Sequence, residues 1–182
     1  MILADGFEEI EASAVIDILR RGGIDLTVAG LEDTEVTGEQ GLKVMTETTL
    51  DTVTERPFDV VILPGGDSGV DELENSQDLK TLIVQRHQSQ RLIAAICAAP
   101  RLLDAWGVLD NRRATSYPAA QSRMKACRYV EDPVVRDGHI LTSRGPGTAM
   151  AFGYAILELL GQTSTANSLR EGMVFQTEGS GV

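Results

Sequence analysis

The sequence is poor in the residues that most cofactor and metal sites require. Only two cysteines, Cys97 and Cys127, and two histidines, His87 and His139, occur among 182 residues. With neither CxxC spacing nor clustered histidines in the sequence, no zinc site and no disulfide framework is expected, and both thiols are expected to be reduced. Basic residues are also few: 16 against 27 acidic ones gives a net charge of −11. That balance repels phosphate backbones and leaves no basic stripe, so nucleic acid is not expected as a partner. No run approaches the roughly 18 apolar residues that cross a membrane. The opening MILADGFEE lacks the basic flank and apolar stretch of a secretory signal, so a cytoplasmic protein without membrane contact is expected. GxGxxG and GK[ST] are missing too, which leaves dinucleotide and phosphate-loop chemistry without a motif.

What remains is an ordinary globular mixture, with 42% apolar and 24% charged residues, long enough for one well-buried core. A single domain over 1–182 is expected, with the Gly/Ser-rich end from about residue 177 as a frayed tail. Strand-like runs at 24–29, 59–63, 91–96 and 139–142 alternate with helical patterns at 9–21, 77–87, 100–105 and 148–160. The runs VVIL and LIAAI are apolar without alternation, as in strands covered on both faces, so an α/β fold with a largely parallel sheet is predicted. Hairpins are predicted over 43–53 and around the Asp137-Gly138 turn.

In open α/β sheets ligands bind beyond the carboxyl ends of the strands. After VVIL comes PGGDSG at 64–69, either a tight strand-to-helix turn or a loop whose glycines expose backbone donors. After LIAAI comes Cys97, followed by AAP. A thiol there sits on a strand-to-helix elbow, where a helix N-terminus lowers a cysteine pKa from about 8.5; the alternative is a small buried hydrophobe. Cys127, in the polar run RMKACRY, has no such setting. On the first helix, positions 11, 14, 15 and 18 share one face and read Glu11, Ala14, Val15 and Ile18, which puts a carboxyl on the stripe that faces the sheet. Burial raises the pKa of such a group and equips it to hand over a proton; escape to solvent at the helix edge is the alternative. Glu8 and Glu9 need only the preference of acids for helix starts. The loop SRGPGT at 143–148 is either an amide cluster for an anion, with Arg144 beside it, or an entry loop with Thr148 as N-cap. His87 and His139 read as surface residues.

The segments ILADGFEEIE, AGL, VVILPGGD, AAICAAP and LTSRGPGTA, in this order over most of the chain, resemble the ThiJ/PfpI superfamily. The nearest subgroup is that of the parkinsonism-associated deglycase and its bacterial homologues. The resemblance implies a flavodoxin-like three-layer sandwich, a homodimer, and no metal or organic cofactor. It further implies Cys97 as nucleophile or redox centre, Glu11 as its hydrogen-bond partner, and Gly65 with Gly66 as backbone donors. Three positions depart from the family pattern. Ala98 stands where the protease-like branch has histidine, which argues against peptidase activity. Tyr117 stands where animal members have histidine. The first strand, starting at Met1-Ile2, is expected to be short.

These readings imply a cofactor-independent glyoxalase or deglycase acting on methylglyoxal-type 2-oxoaldehydes or their early adducts. Gly66 and Ala98 amides would stabilise the oxyanion, with Arg144 and Tyr117 as candidate substrate contacts. The alternative is a redox-sensing or chaperone-like protein that oxidises the same cysteine without turnover.

Overall fold

The computed structural model describes residues 1–176; the tail expected from about 177 lies outside the described residues. The strands are β1 (Ile2–Leu3), β2 (Ala29–Gly30), β3 (Glu35–Thr37), β4 (Lys43–Met45), β5 (Thr48–Thr49), β6 (Val60–Leu63), β7 (Leu92–Ile96), β8 (Arg113–Ala114), β9 (Arg128–Tyr129), β10 (Val134–Asp137) and β11 (Ile140–Ser143). The helices are α1 (Glu9–Arg21), α2 (Leu50–Val53), α3 (Asp67–Asn75), α4 (Gln77–Gln88), α5 (Pro100–Ala105), α6 (Ala149–Leu159) and α7 (Thr163–Gly172). Parallel pairing links β5, β2 and β1 on one side and β6, β7 and β11 on the other, with β10 antiparallel at the edge. β1 lies beside β6 and brings the two sheets together.

The apolar strands serve both faces in alternation. Val61, Leu63, Ile93, Ala95 and Ile140 face a layer built from α2, α3, α4 and α5, while Ile62, Ala94, Ile96 and Leu141 face α1, α6 and α7. Period-two side chains that are apolar at every position therefore make two cores back to back. The result is a flavodoxin-like three-layer α/β sandwich with a mostly parallel sheet. On the second face α1 and α6 pack closely: a Cβ on Gly153 would lie 3.0 Å from Ile18 Cδ1.

Several boundaries differ from expectation. The strand predicted over 24–29 pairs only at Ala29–Gly30. Just before it, Val28 N–H donates to the Glu47 carboxylate and Thr27 C=O accepts from the Met1 amine, so side chain and terminus replace the ladder there. The predicted 43–53 hairpin is instead β3 with β4, closed through Gly38 and Gly41, while Leu50–Val53 is a helical turn. The hairpin at Asp137-Gly138 forms as predicted, with Asp137 opposite Ile140. Helices α3 and α7 fall outside the predicted patterns; α3 buries Gly69, Val70 and Leu73, and α7 buries Ala166.

Candidate active site

Four strand ends converge on Cys97. It follows β7 at φ 65°, a left-handed conformation that costs a non-glycine residue energy and is held here by its neighbours. Its N–H donates to Ser143 C=O at the end of β11 (2.9 Å), and its C=O accepts from Tyr117 N–H (2.8 Å). The loops after β1 and β6 meet backbone to backbone: Glu8 N–H donates to Gly65 C=O (2.9 Å) and Gly69 N–H to Gly6 C=O (3.3 Å). Gly66, at φ 95°, has its α-carbon so close to the Gly6 carbonyl that a Cβ would collide with it.

Glu11 is fully buried on the inward stripe of α1, so its carboxyl does not escape at the helix edge. Its Oε2 accepts a 2.7 Å hydrogen bond from Gly65 N–H. Its carboxyl lies beside the Cys97 side chain, and Oε1 is buried without a hydrogen-bond partner. The amides of Gly66 and Ala98 are directed at the Cys97 sulfur. Gly65 separates the pair closely enough that a Cβ there would lie 2.5 Å from Cys97 Cβ and 2.8 Å from Glu11 Oε2.

Burial pushes the Glu11 carboxyl up to about 7; the Gly65 amide and the Cys97 thiol oppose this, and Glu8 and Glu39 add to it. Burial also pushes the Cys97 thiol up, and an ionised Glu11 pushes it further, against the pull of the Gly66 and Ala98 amides. Helix-terminus stabilisation alone, as read from the sequence, does not describe this thiol. Two adjacent negative charges are unfavourable in so dry a site, so Cys97 and Glu11 titrate as a pair that carries one charge. The pair shares its one remaining proton: with it on Glu11 the sulfur is a thiolate stabilised by the Gly66 and Ala98 amides, and with it on Cys97 the carboxylate is held by Gly65 N–H. The first of these two arrangements is the nucleophile.

The other sequence candidates divide. Gly65 is a backbone donor, but its amide is engaged by Glu11 and is not free for a substrate oxyanion. Tyr117 stands at the mouth, 46% exposed. Its ring packs on Gly145, where a Cβ would lie 3.2 Å from Tyr117 Cδ2 and 3.9 Å from Cys97 Sγ. Arg144 turns away: its guanidinium donates to Glu131 C=O (3.0 Å). The 143–148 loop is no anion cradle, because the amides of Arg144, Gly145 and Thr148 are bonded to Pro133 C=O, Thr148 Oγ1 and Gly145 C=O. Thr148 precedes α6, but its hydroxyl closes this loop and does not cap the helix. Burial and the Asp104 carboxylate push the Cys127 thiol up to about 11, which keeps it protonated at neutral pH. A cavity of about 820 Å³ around Met1, Ile24 and Val60 lies at the other end of the strands and contains none of these residues.

Sequence reasoning missed two contributors. Gly145 forms a wall of the thiol pocket, and no pattern marks it beyond the glycine itself. Glu9 is 9% exposed and not a solvated helix-start acid. Its Oε1 accepts from Gln40 N–H (2.6 Å) and Leu42 N–H (3.4 Å), holding the β3–β4 turn against α1. Glu8 does take the helix-start role, accepting from Glu11 N–H (2.7 Å).

Residues 1–159 match the DJ-1/PfpI family. The chain is 43% identical over 161 residues to Protein DJ-1 homolog B of Arabidopsis thaliana, a match that takes in 87% of this chain and 37% of the plant protein. It thus spans well under half the length of that relative. It is 34% identical over 163 residues to glutathione-independent glyoxalase DJR-1.2 of Caenorhabditis elegans, covering 89% of this chain and 87% of that one. The crystal structure of Drosophila melanogaster DJ-1beta superimposes with a TM-score of 0.93 at 38% identity, over 97% of this chain and 96% of that one.

Proposed function

Because the chain belongs to the DJ-1/PfpI family, we propose that it is a cofactor-independent glyoxalase or deglycase for methylglyoxal-type 2-oxoaldehydes or their early adducts with amines and thiols. The observation that carries this reading is the buried Glu11 carboxyl set against the Cys97 thiol, with the Gly66 and Ala98 amides on the sulfur. The worm relative's description as a glutathione-independent glyoxalase supports it.

The residues account for each step. Cys97 thiolate adds to the aldehyde carbon, and the Gly66 and Ala98 amides stabilise the oxyanion until Glu11 protonates it. Glu11, now a carboxylate, removes the hydrogen from that carbon, and the electron pair moves onto the neighbouring carbonyl oxygen to give an enediolate. Returning the proton from Glu11 to the adjacent carbon, as the hydroxyl proton of the first carbon passes to the alkoxide, gives a 2-hydroxy thioester. Water cleaves it to a 2-hydroxy acid and frees the thiol. One carbon is oxidised as its neighbour is reduced, so no external redox partner enters. Incubating wild type and Cys97→Ser with methylglyoxal and following lactate by NMR tests the proposal. Equal background conversion by both would overturn it.

A second reading uses the same donors. Oxidation of Cys97 to a sulfinate by two equivalents of peroxide, each reduced to water, would place its oxygens against Gly66, Ala98 and a protonated Glu11, a redox-sensing or chaperone-like role without turnover. As partner we propose a second copy of the chain, seated on the face where Ile10, Leu42 and Met45 are 59%, 49% and 71% exposed; light scattering on the eluted protein tests it. No helix among the described residues is long and apolar enough to cross a membrane, and a cytoplasmic location remains part of the proposal.

A further inference from the structure

The chain's only two histidines are 52 positions apart in sequence and adjacent in the fold. His87 lies in the last turn of α4 and His139 in the turn between β10 and β11. Their ring nitrogens, His87 Nδ1 and His139 Nε2, are 3.2 Å apart, with ring centroids 5.1 Å apart and planes tilted by 40°. The sequence offers no reason for this pairing, and neither imidazole takes part in the chemistry at Cys97. β11 separates the two places: His139 precedes it and the Cys97 loop meets its far end, about 13 Å along the strand.

Both rings stand on fixed supports. Arg86, next to His87, is buried and donates to Phe58 C=O (3.0 Å), Asp59 C=O (2.8 Å) and Leu92 C=O (2.9 Å), pinning the end of α4 to β6 and β7. His139 C=O accepts from Ile93 N–H (3.0 Å). Asp137 accepts from Arg112 Nη1 (3.2 Å) and Arg113 N–H (2.9 Å), which holds the turn in place. The backbone segments that carry the two rings are thus fixed by the scaffold, and the rings meet through their own nitrogens.

We infer that His87 and His139 form a two-imidazole site for a late first-row divalent metal ion. Metal–nitrogen bonds of 2.0–2.1 Å at a tetrahedral angle put two ligating nitrogens about 3.3 Å apart, the spacing already present. The ligands are borderline-soft imidazoles, which suit Zn²⁺, Ni²⁺ and Cu²⁺ and not the oxygen-seeking Mg²⁺ or Ca²⁺. Among the described residues no cluster of three or more metal-ligating side chains forms, so water completes the coordination and the ion exchanges. The charged groups facing the pair are Arg112, Asp110 and Asp137, whose charges sum to −1 and do not exclude a cation. Without metal the same rings share a neutral N–H···N hydrogen bond. With it, α4 and the β10–β11 hairpin are clamped together.

The test uses the full chain with Cys97 and Cys127 changed to serine to remove thiol ligation, stripped of metal and titrated with ZnCl2. The two imidazole Hε1 resonances, the only ones the chain has, should shift together along one saturation curve. The melting temperature should rise with metal concentration, as binding to the folded state requires. His87→Gln and His139→Gln should each weaken binding at least about tenfold. Movement of one imidazole only, movement of neither, or undiminished binding in either variant would overturn the assignment. The titration of the parent decides the question by itself if a glutamine variant fails to fold.

Discussion

The backbone amide of Gly65 donates a 2.7 Å hydrogen bond to the buried Oε2 of Glu11. This bond anchors the carboxyl beside the Cys97 thiol, and the position must be glycine because a Cβ would lie 2.5 Å from Cys97 Cβ and 2.9 Å from its sulfur. Gly65→Ala should therefore wedge the pair apart. We expect turnover to fall by about 100-fold and stability by about 1–3 kcal/mol, read by lactate production and urea denaturation. An alanine variant of wild-type activity would show that the spacing of the pair is not critical.

The shifted carboxyl makes stability depend on pH. The folded pair holds the Glu11 proton up to about pH 7, whereas an unfolded glutamate releases it near 4.3. Between these values the folded state binds more protons, so its stability is full below pH 4, falls as pH rises, and reaches its low plateau above pH 7. The total is about 4 kcal/mol. Glu11→Gln keeps the shape and removes the titration, so its stability relative to wild type should climb by about that amount from pH 4 to pH 8. Parallel stability curves for the two proteins would contradict the assignment.

Glu9 supplies a contrasting structural acid. Glu9→Ala strips the Gln40 and Leu42 amides of their acceptor and should cost about 1–3 kcal/mol, with hydrogen exchange rising first in the 38–42 turn. Gly38→Ala should act similarly, since a Cβ there collides with the Glu9 carboxylate. Alkylation of Cys97 at pH 8 should be unchanged in Glu9→Ala, because Glu9 does not contact the thiol pair.

Much of this arrangement is legible in the sequence, and the reason is local. Unbroken apolar runs such as VVIL and LIAAI placed the central strands, and the 3.6-residue stripe of α1 put Glu11 inside. Features that rest on long-range contacts were not legible. Glu9 looks like any helix-start acid until the β3–β4 turn, 31 positions away, donates to it. The strand expected over 24–29 shortens because Glu47 and the Met1 amine take its backbone groups. Arg144 looked ready to meet a ligand, yet the Glu131 carbonyl claims it. The two histidines show nothing in sequence of a pairing that only the sheet creates.

The central claim is that Cys97 bonds to the aldehyde and Glu11 then moves the proton, two steps that Glu11→Gln should separate. A glutamine still accepts from Gly65 and donates to sulfur, but it cannot carry a proton between carbons. Methylglyoxal should therefore load Glu11→Gln with a stoichiometric adduct at Cys97, seen by intact mass and peptide mapping, while lactate stays at the level of Cys97→Ser. Wild type should release lactate with no lasting adduct. Lactate production by Glu11→Gln at the wild-type rate, or adduct formation that persists in Cys97→Ser, would contradict the account.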